Sequence, residues 1–198
     1  MKVTLRNTSI LFYASIGNIL VFGVLFLCLL GGYRGPLINI LLAEYCLFFI
    51  LALICFIRIL MFFNEATAIV AAYTMFTGVL VISVIDNIFP RLLHDGYSNW
   101  LGILAEVISP LVAFRSFFIK ASAVRAPFRF FGAGIGLVTL PRLLVMLIAT
   151  NFNNELISIT GDLGMLVVLL ATCFILKRMV DFLRNGVEPP FEAANEQP

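Results

Sequence analysis

The chain has 198 residues, 62% hydrophobic and 12% charged, with a mean hydropathy of +1.07 and a formal net charge of +2 at pH 7. A soluble domain carries about 25% charged residues, so this composition excludes a water-soluble globular protein and places the chain in a lipid bilayer. The basic residues recur at chain turns instead of forming one patch, which leaves no nucleic-acid signal and makes them reporters of topology.

Six segments have the roughly 20 mostly apolar residues that a spanning helix needs. They cover residues 10–30, 37–60, 66–89, 100–119, 130–149 and 156–176. The first follows MKVTLRNTS, which has the look of a secretory leader. Its apolar run is longer than a leader's core, and it ends in GGYRGP with no A-x-A cleavage site, so it reads as a retained helix. The connections GGYRGP, MFFNEA, PRLLHDGYSN, KASAVRAPFR and TNFNNE are too short to hold a soluble domain. The sixth helix is expected to continue through KRMVDFLR, giving a helical domain over 1–184 and an acidic, disordered cytoplasmic tail over 185–198. The expected fold is therefore an all-α membrane protein, a bundle of six transmembrane helices.

Six crossings place both termini on one side. Ten basic residues (Lys2, Arg6, Arg58, Arg115, Lys120, Arg125, Arg129, Lys177, Arg178, Arg184) fall on that side, against Arg34 and Arg91 on the other. The positive-inside rule then makes both termini cytoplasmic and the protein a multi-pass resident of the inner or plasma membrane. Tyr33, Tyr97 and Trp100 lie at the outer boundary, where amphipathic aromatics belong.

With that topology, depth follows from a rise of about 1.5 Å per residue. Glu44 lies roughly 10 Å below the outer surface, Glu106 and Asp162 about 9 Å, Asp86 some 5 Å and Arg142 some 10 Å. Five ionisable groups on five helices thus share the outer third of the bilayer. One arginine cannot neutralise four carboxylates, and the surplus must be protonated, hydrated or matched by a cationic ligand. This makes Glu44, Asp86, Glu106, Arg142 and Asp162 the candidate ligand-binding residues. Structural pairing of Arg142 with one or two of the carboxylates is the competing reading.

Other features carry less. LLAE at 41–44 recurs as ILAE at 103–106, and PRLL at 90–93 recurs at 141–144, with unequal offsets of 62 and 51 residues. In FGAGIGLV, Gly132 and Gly136 are expected to permit close helix packing, since a glycine run inside a membrane helix is no dinucleotide fingerprint. Pro110 and Pro141 should loosen the fourth and fifth helices. Cys28, Cys46, Cys55 and Cys173 sit in apolar stretches without CxxC spacing and read as small hydrophobes. His94 is the sole histidine, which disfavours haem, HExxH or paired-metal chemistry. No catalytic motif stands out, and no metal or cofactor is expected.

Residues 78–96, GVLVISVIDNIFPRLLHDG, followed by NWLGILAEVISPLVAF, resemble the middle of the membrane-associated sensor domains that head bacterial histidine kinases and diguanylate cyclases. The positions carrying the resemblance are Asp86, Trp100 and Glu106. The histidine that usually follows the aspartate is missing, and no output domain follows the last helix. The resemblance implies an input module that works through another protein. The expected function is accordingly a non-enzymatic sensor or signalling-type module that binds a small or membrane-soluble ligand in the outer-leaflet polar layer. A small transporter, or the substrate-binding membrane subunit of one, is the alternative, and a structural subunit of a membrane complex the third. Expected partners are the bilayer, a cytoplasmic or membrane protein, and a second copy of the chain.

Overall fold

Polar residues on the inside of the first helix and large apolar ones on its outside set the character of the structure. α1 (Leu5–Leu30) buries Thr8, Leu11, Ser15, Asn18 and Leu25 along one stripe, while Tyr13, Leu20 and Leu27 are each 68% exposed. Water would favour the opposite arrangement; lipid accommodates it, because an apolar surface needs no burial there. The buried hydroxyls are quieted locally: Thr8 donates to the Thr4 carbonyl at 2.8 Å and Ser15 to the Phe12 carbonyl at 2.6 Å.

The computed structural model describes residues 3–32, 35–88, 97–148 and 154–185, with side chains except at 29–30, 36, 39, 86–88, 97–103, 142–148 and 154–160. Within these, the chain is all helical. After α1 come α2 (Pro36–Phe62), α3 (Thr67–Ile88), α4 (Tyr97–Ser116), α5 (Ser122–Ile148) and α6 (Asn154–Arg184). Among the described residues, five helices (α1, α2, α3, α5 and α6) are long and apolar enough to cross a membrane. The 20-residue α4, whose side chains are described only from Leu104 on, packs in the same bundle between α3 and α5. α5 begins eight residues before the expected start at 130 and takes in Arg125, Pro127 and Arg129. Pro127 is the sixth residue of α5 and offers no N–H to the Ala123 carbonyl, yet the helix runs on through it. Both α4 and α5 also continue unbroken through Pro110 and Pro141.

Each helix packs on its chain neighbours, and α6 closes onto α1, so the six form a ring in the order of the sequence. The seams are antiparallel. Tyr73, near the start of α3, meets Ser116, at the end of α4, with 2.7 Å between their hydroxyl oxygens. Ser15, early in α1, meets Cys173, late in α6, at 2.8 Å. The centre near the terminal end is filled with aromatic rings. Phe56 makes edge contacts with Phe128 and Phe131 at centroid distances of 5.4 and 5.3 Å, and Tyr73 stands edge-on to Phe128 at 5.8 Å.

Small residues set how closely the seams close. A Cβ at Gly134 would stand 2.9 Å from the Val168 nitrogen and 3.0 Å from the Gly164 oxygen, and one at Gly164 would stand 2.9 Å from the Gly134 oxygen. The α5 and α6 backbones therefore touch. At Gly132 the added atom would meet the Ala113 oxygen of α4 at 2.7 Å. Gly136 differs from the expectation: its nearest neighbours would be Leu140 Cδ1 at 3.7 Å and Ala113 Cβ at 4.0 Å, ordinary van der Waals contacts. The close-packing glycines are thus 132, 134 and 164.

The turn after α2 makes a further tie. Asn64 adopts the left-handed conformation (φ 50°), its N–H donating to Met61 at 3.0 Å and that of Glu65 to Leu60 at 2.9 Å. This is a Schellman ending with asparagine in the place of glycine. It turns Glu65 inward, where Oε1 accepts the backbone N–H groups of Lys120 at 2.8 Å and Ala121 at 2.6 Å, just ahead of α5. One carboxylate thereby pins the α2–α3 turn to the α4–α5 turn. The residues expected to form the tail fall, after Asn185, outside the described residues.

Candidate functional site

A cavity of about 260 Å³ opens inside the ring, walled by α2, α3, α4, α5 and α6. Its lining is mostly apolar, with Phe49, Phe76, Leu80, Ile135 and Val168 among the contributors. Four side chains with oxygen atoms interrupt this wall: Tyr45, Glu106, Ser109 and Thr139. Tyr45 is nine residues in from Pro36, Glu106 nine in from Tyr97 and Thr139 nine before Ile148. All three therefore stand about 14 Å along their helices from the end opposite the termini.

The four oxygens are not equivalent. Ser109 donates to the Ala105 carbonyl and Thr139 to the Ile135 carbonyl at 2.9 Å, as hydroxyls in apolar helices do when they bond their own backbone. Tyr45 Oη and Glu106 Oε2 are buried without a hydrogen-bond partner. Such atoms cost roughly 1–3 kcal/mol each when left unmatched, and more when charged. Proline has no N–H, so Pro110 also offers no helical donor to the carbonyl of Glu106, four residues earlier. The wall therefore has a surplus of acceptors around Glu106, with the Tyr45 phenol able to donate or accept.

Local sequence explains how these groups come to face inward. On α4 the buried positions Ile108, Ser109, Val112 and Ser116 define the inner stripe, and Ala105 and Glu106 lie one turn before it. Tyr45 is set between rings, 6.0 Å from Phe22 of α1 and stacked at 6.4 Å on Phe49, one turn on, with an interplanar angle of 2°.

Of the five residues expected to form the polar layer, Glu106 lines the cavity. Glu44 and Asp162 do not: both are exposed on the outside of the bundle, on α2 and α6. Depth alone placed them together; rotation about the helix axis separates them, since each residue turns about 100° from the last. The echo of LLAE and ILAE shows this directly, because on α2 the residue that reaches the cavity is Tyr45, one position beyond the glutamate. The side chains of Asp86 and Arg142 lie outside the described residues, as do His94, Arg34, Arg91 and the side chains of Tyr33, Tyr97 and Trp100.

Two positions that the geometry singles out escaped the sequence reading. Tyr45 was legible in principle, since a phenol in mid-helix needs a partner for its hydroxyl. Glu65 was hidden by its place in a polar turn, where a carboxylate normally faces water. In comparisons with family models, characterised proteins and solved structures, the chain matches none.

Proposed function

We propose that the chain is an integral membrane protein whose six helices all cross the bilayer, with both termini cytoplasmic, and that its interior cavity binds a small membrane-soluble ligand. The bundle's apolar exterior supports the membrane assignment, and the ten-to-two distribution of basic residues supports the orientation. One observation carries the ligand reading: Glu106 Oε2 and Tyr45 Oη are both buried and unpartnered on the wall of one cavity. A volume near 260 Å³ is slightly under the range of about 300–1,000 Å³ usual for ligand pockets, which favours a small molecule. The matching ligand has an apolar body and a hydrogen-bond donor or positive charge, because the surplus on the wall is of acceptors. Binding of this kind fits the sensor module implied by the resemblance around Asp86 and Glu106.

The test is binding of a small hydrophobic amine and its uncharged hydrocarbon isostere to the purified protein in detergent. The amine is expected to bind at least tenfold more tightly, and Glu106→Gln to abolish that difference while leaving the fold intact. Equal binding of both compounds, or an unchanged preference in Glu106→Gln, would refute the reading. Amine flux in proteoliposomes would instead assign the cavity to transport.

A further inference from the structure

The outer face of α4 and α5 carries a feature independent of the cavity. A groove of about 700 Å³ runs between the two helices, bounded by Pro110, Phe114, Phe117, Gly136, Leu140 and Pro141. It is almost wholly apolar. At its terminal end a second depression of about 440 Å³ holds Arg125 and Arg129, and the two share Phe117 and Ala133, so they form one continuous surface. Both arginines are exposed and have no acidic partner among the described residues; Arg125 donates one bond to the Lys120 carbonyl at 2.6 Å. A guanidinium has five N–H donors, so most of that hydrogen-bonding capacity is unspent.

We infer that this surface holds one anionic phospholipid of the cytoplasmic leaflet, its phosphate between Arg125 and Arg129 and one acyl chain in the α4–α5 groove. Three observations converge on that occupant. Charge is complementary: the guanidinium fork matches phosphate oxygens, and the positive end of the α5 dipole lies at the same place. Length is complementary too. Arg129 and Pro141 are twelve residues apart on α5, about 18 Å of helix, close to half of a hydrocarbon core about 30 Å thick. Finally, the groove is open where helix packing does not require it. A Cβ at Gly136 would meet nothing closer than 3.7 Å, whereas one at Gly132 or Gly134 would strike a neighbouring backbone. Gly136 is buried at the floor of the groove, where its missing side chain leaves room without bringing two backbones together.

Native mass spectrometry of the full chain in detergent tests this, with equimolar phosphatidylglycerol and phosphatidylcholine of identical chains. Retention of phosphatidylglycerol is expected to exceed that of phosphatidylcholine at least fivefold. Arg125→Gln with Arg129→Gln should bring the ratio to near one; both side chains are exposed, so the fold is not at risk. Gly136→Leu should lower retention of both lipids at least threefold. Equal retention by the parent protein, or an unchanged ratio in the arginine double variant, would overturn the inference. So would competition by glycerol phosphate as effective as by phosphatidylglycerol, which would mark a site for free anions. A lipid-free dimer that Gly136→Leu dissociates would assign the groove to a second copy.

Discussion

Glu65 shows how much one side chain can hold. Its Oε1 takes two consecutive backbone N–H groups at the entrance to α5, and hydrogen bonds to a charged acceptor contribute about 1.5–3 kcal/mol. Glu65→Ala should lower stability in detergent by about that amount, while Glu65→Gln, which keeps an acceptor oxygen, should lose less than half as much; thermal melts of the two variants decide it. Tyr73 makes a smaller case. Ser116 donates to the Val112 carbonyl at 2.7 Å, so the phenol of Tyr73 is the donor in their contact. Tyr73→Phe removes that donor from a fully buried position and should cost about 1 kcal/mol, read by the same melts. At this scale the sequence was a partial guide. Glu106 was recognisable because a carboxylate inside an apolar run needs a reason. Glu44 and Asp162 met the same criterion and proved exposed, since spacing along one helix gives depth but not the direction a side chain faces in the ring.

Among the elements, the glycines of α5 give the sharpest contrast. Gly134→Ala drives a methyl group into the backbone of α6 and should destabilise by about 1–3 kcal/mol, the usual cost of overpacking. Gly136→Ala meets only ordinary contacts and should be neutral, or stabilising by up to about 1 kcal/mol through helix propensity. Equal losses in the two variants would contradict the α5–α6 seam described above. Which glycine of the run faces which neighbour was not legible: three glycines two residues apart point in different directions on a helix, and only the neighbours decide which ones matter. Helix existence, by contrast, followed from apolar length alone. The start of α5 was misjudged because Arg125, Pro127 and Arg129 read as a loop, although a helix can extend past the apolar core with charges on its exposed turns.

For the whole molecule, ring closure and orientation are the claims to test. The Ser15 and Cys173 side chains are 2.8 Å apart, so Ser15→Cys should form a disulfide with Cys173 on mild oxidation. Cutting the chain within the α2–α3 turn would then leave the two fragments joined until reduction; separation without reductant would break the α1–α6 seam. A cysteine at Ser98 should react with an impermeant reagent from outside intact cells, and labelling only after lysis would reverse the assigned orientation. The expected orientation rests on the basic asymmetry of the sequence alone. The order of helices in space was not, because a chain of short hairpins can close into a ring or lie open, and the choice rests on the few residues at the seam.

Closure of the ring has a consequence for the order of manufacture. α1 is made first, and one of its two neighbours, α6, is made last. From Leu30 to Arg184 a ribosome adding about 5–20 residues per second needs roughly 8–30 s. Through that interval Thr8 and Ser15 can be satisfied by their own helix, whereas Asn18, whose amide atoms are buried without a partner even in the finished bundle, cannot. The cavity, meanwhile, lacks the wall that Met165 and Val168 supply from α6. Until the last helix arrives, the wall that holds Glu106 and Tyr45 is therefore open on the side that α6 later covers.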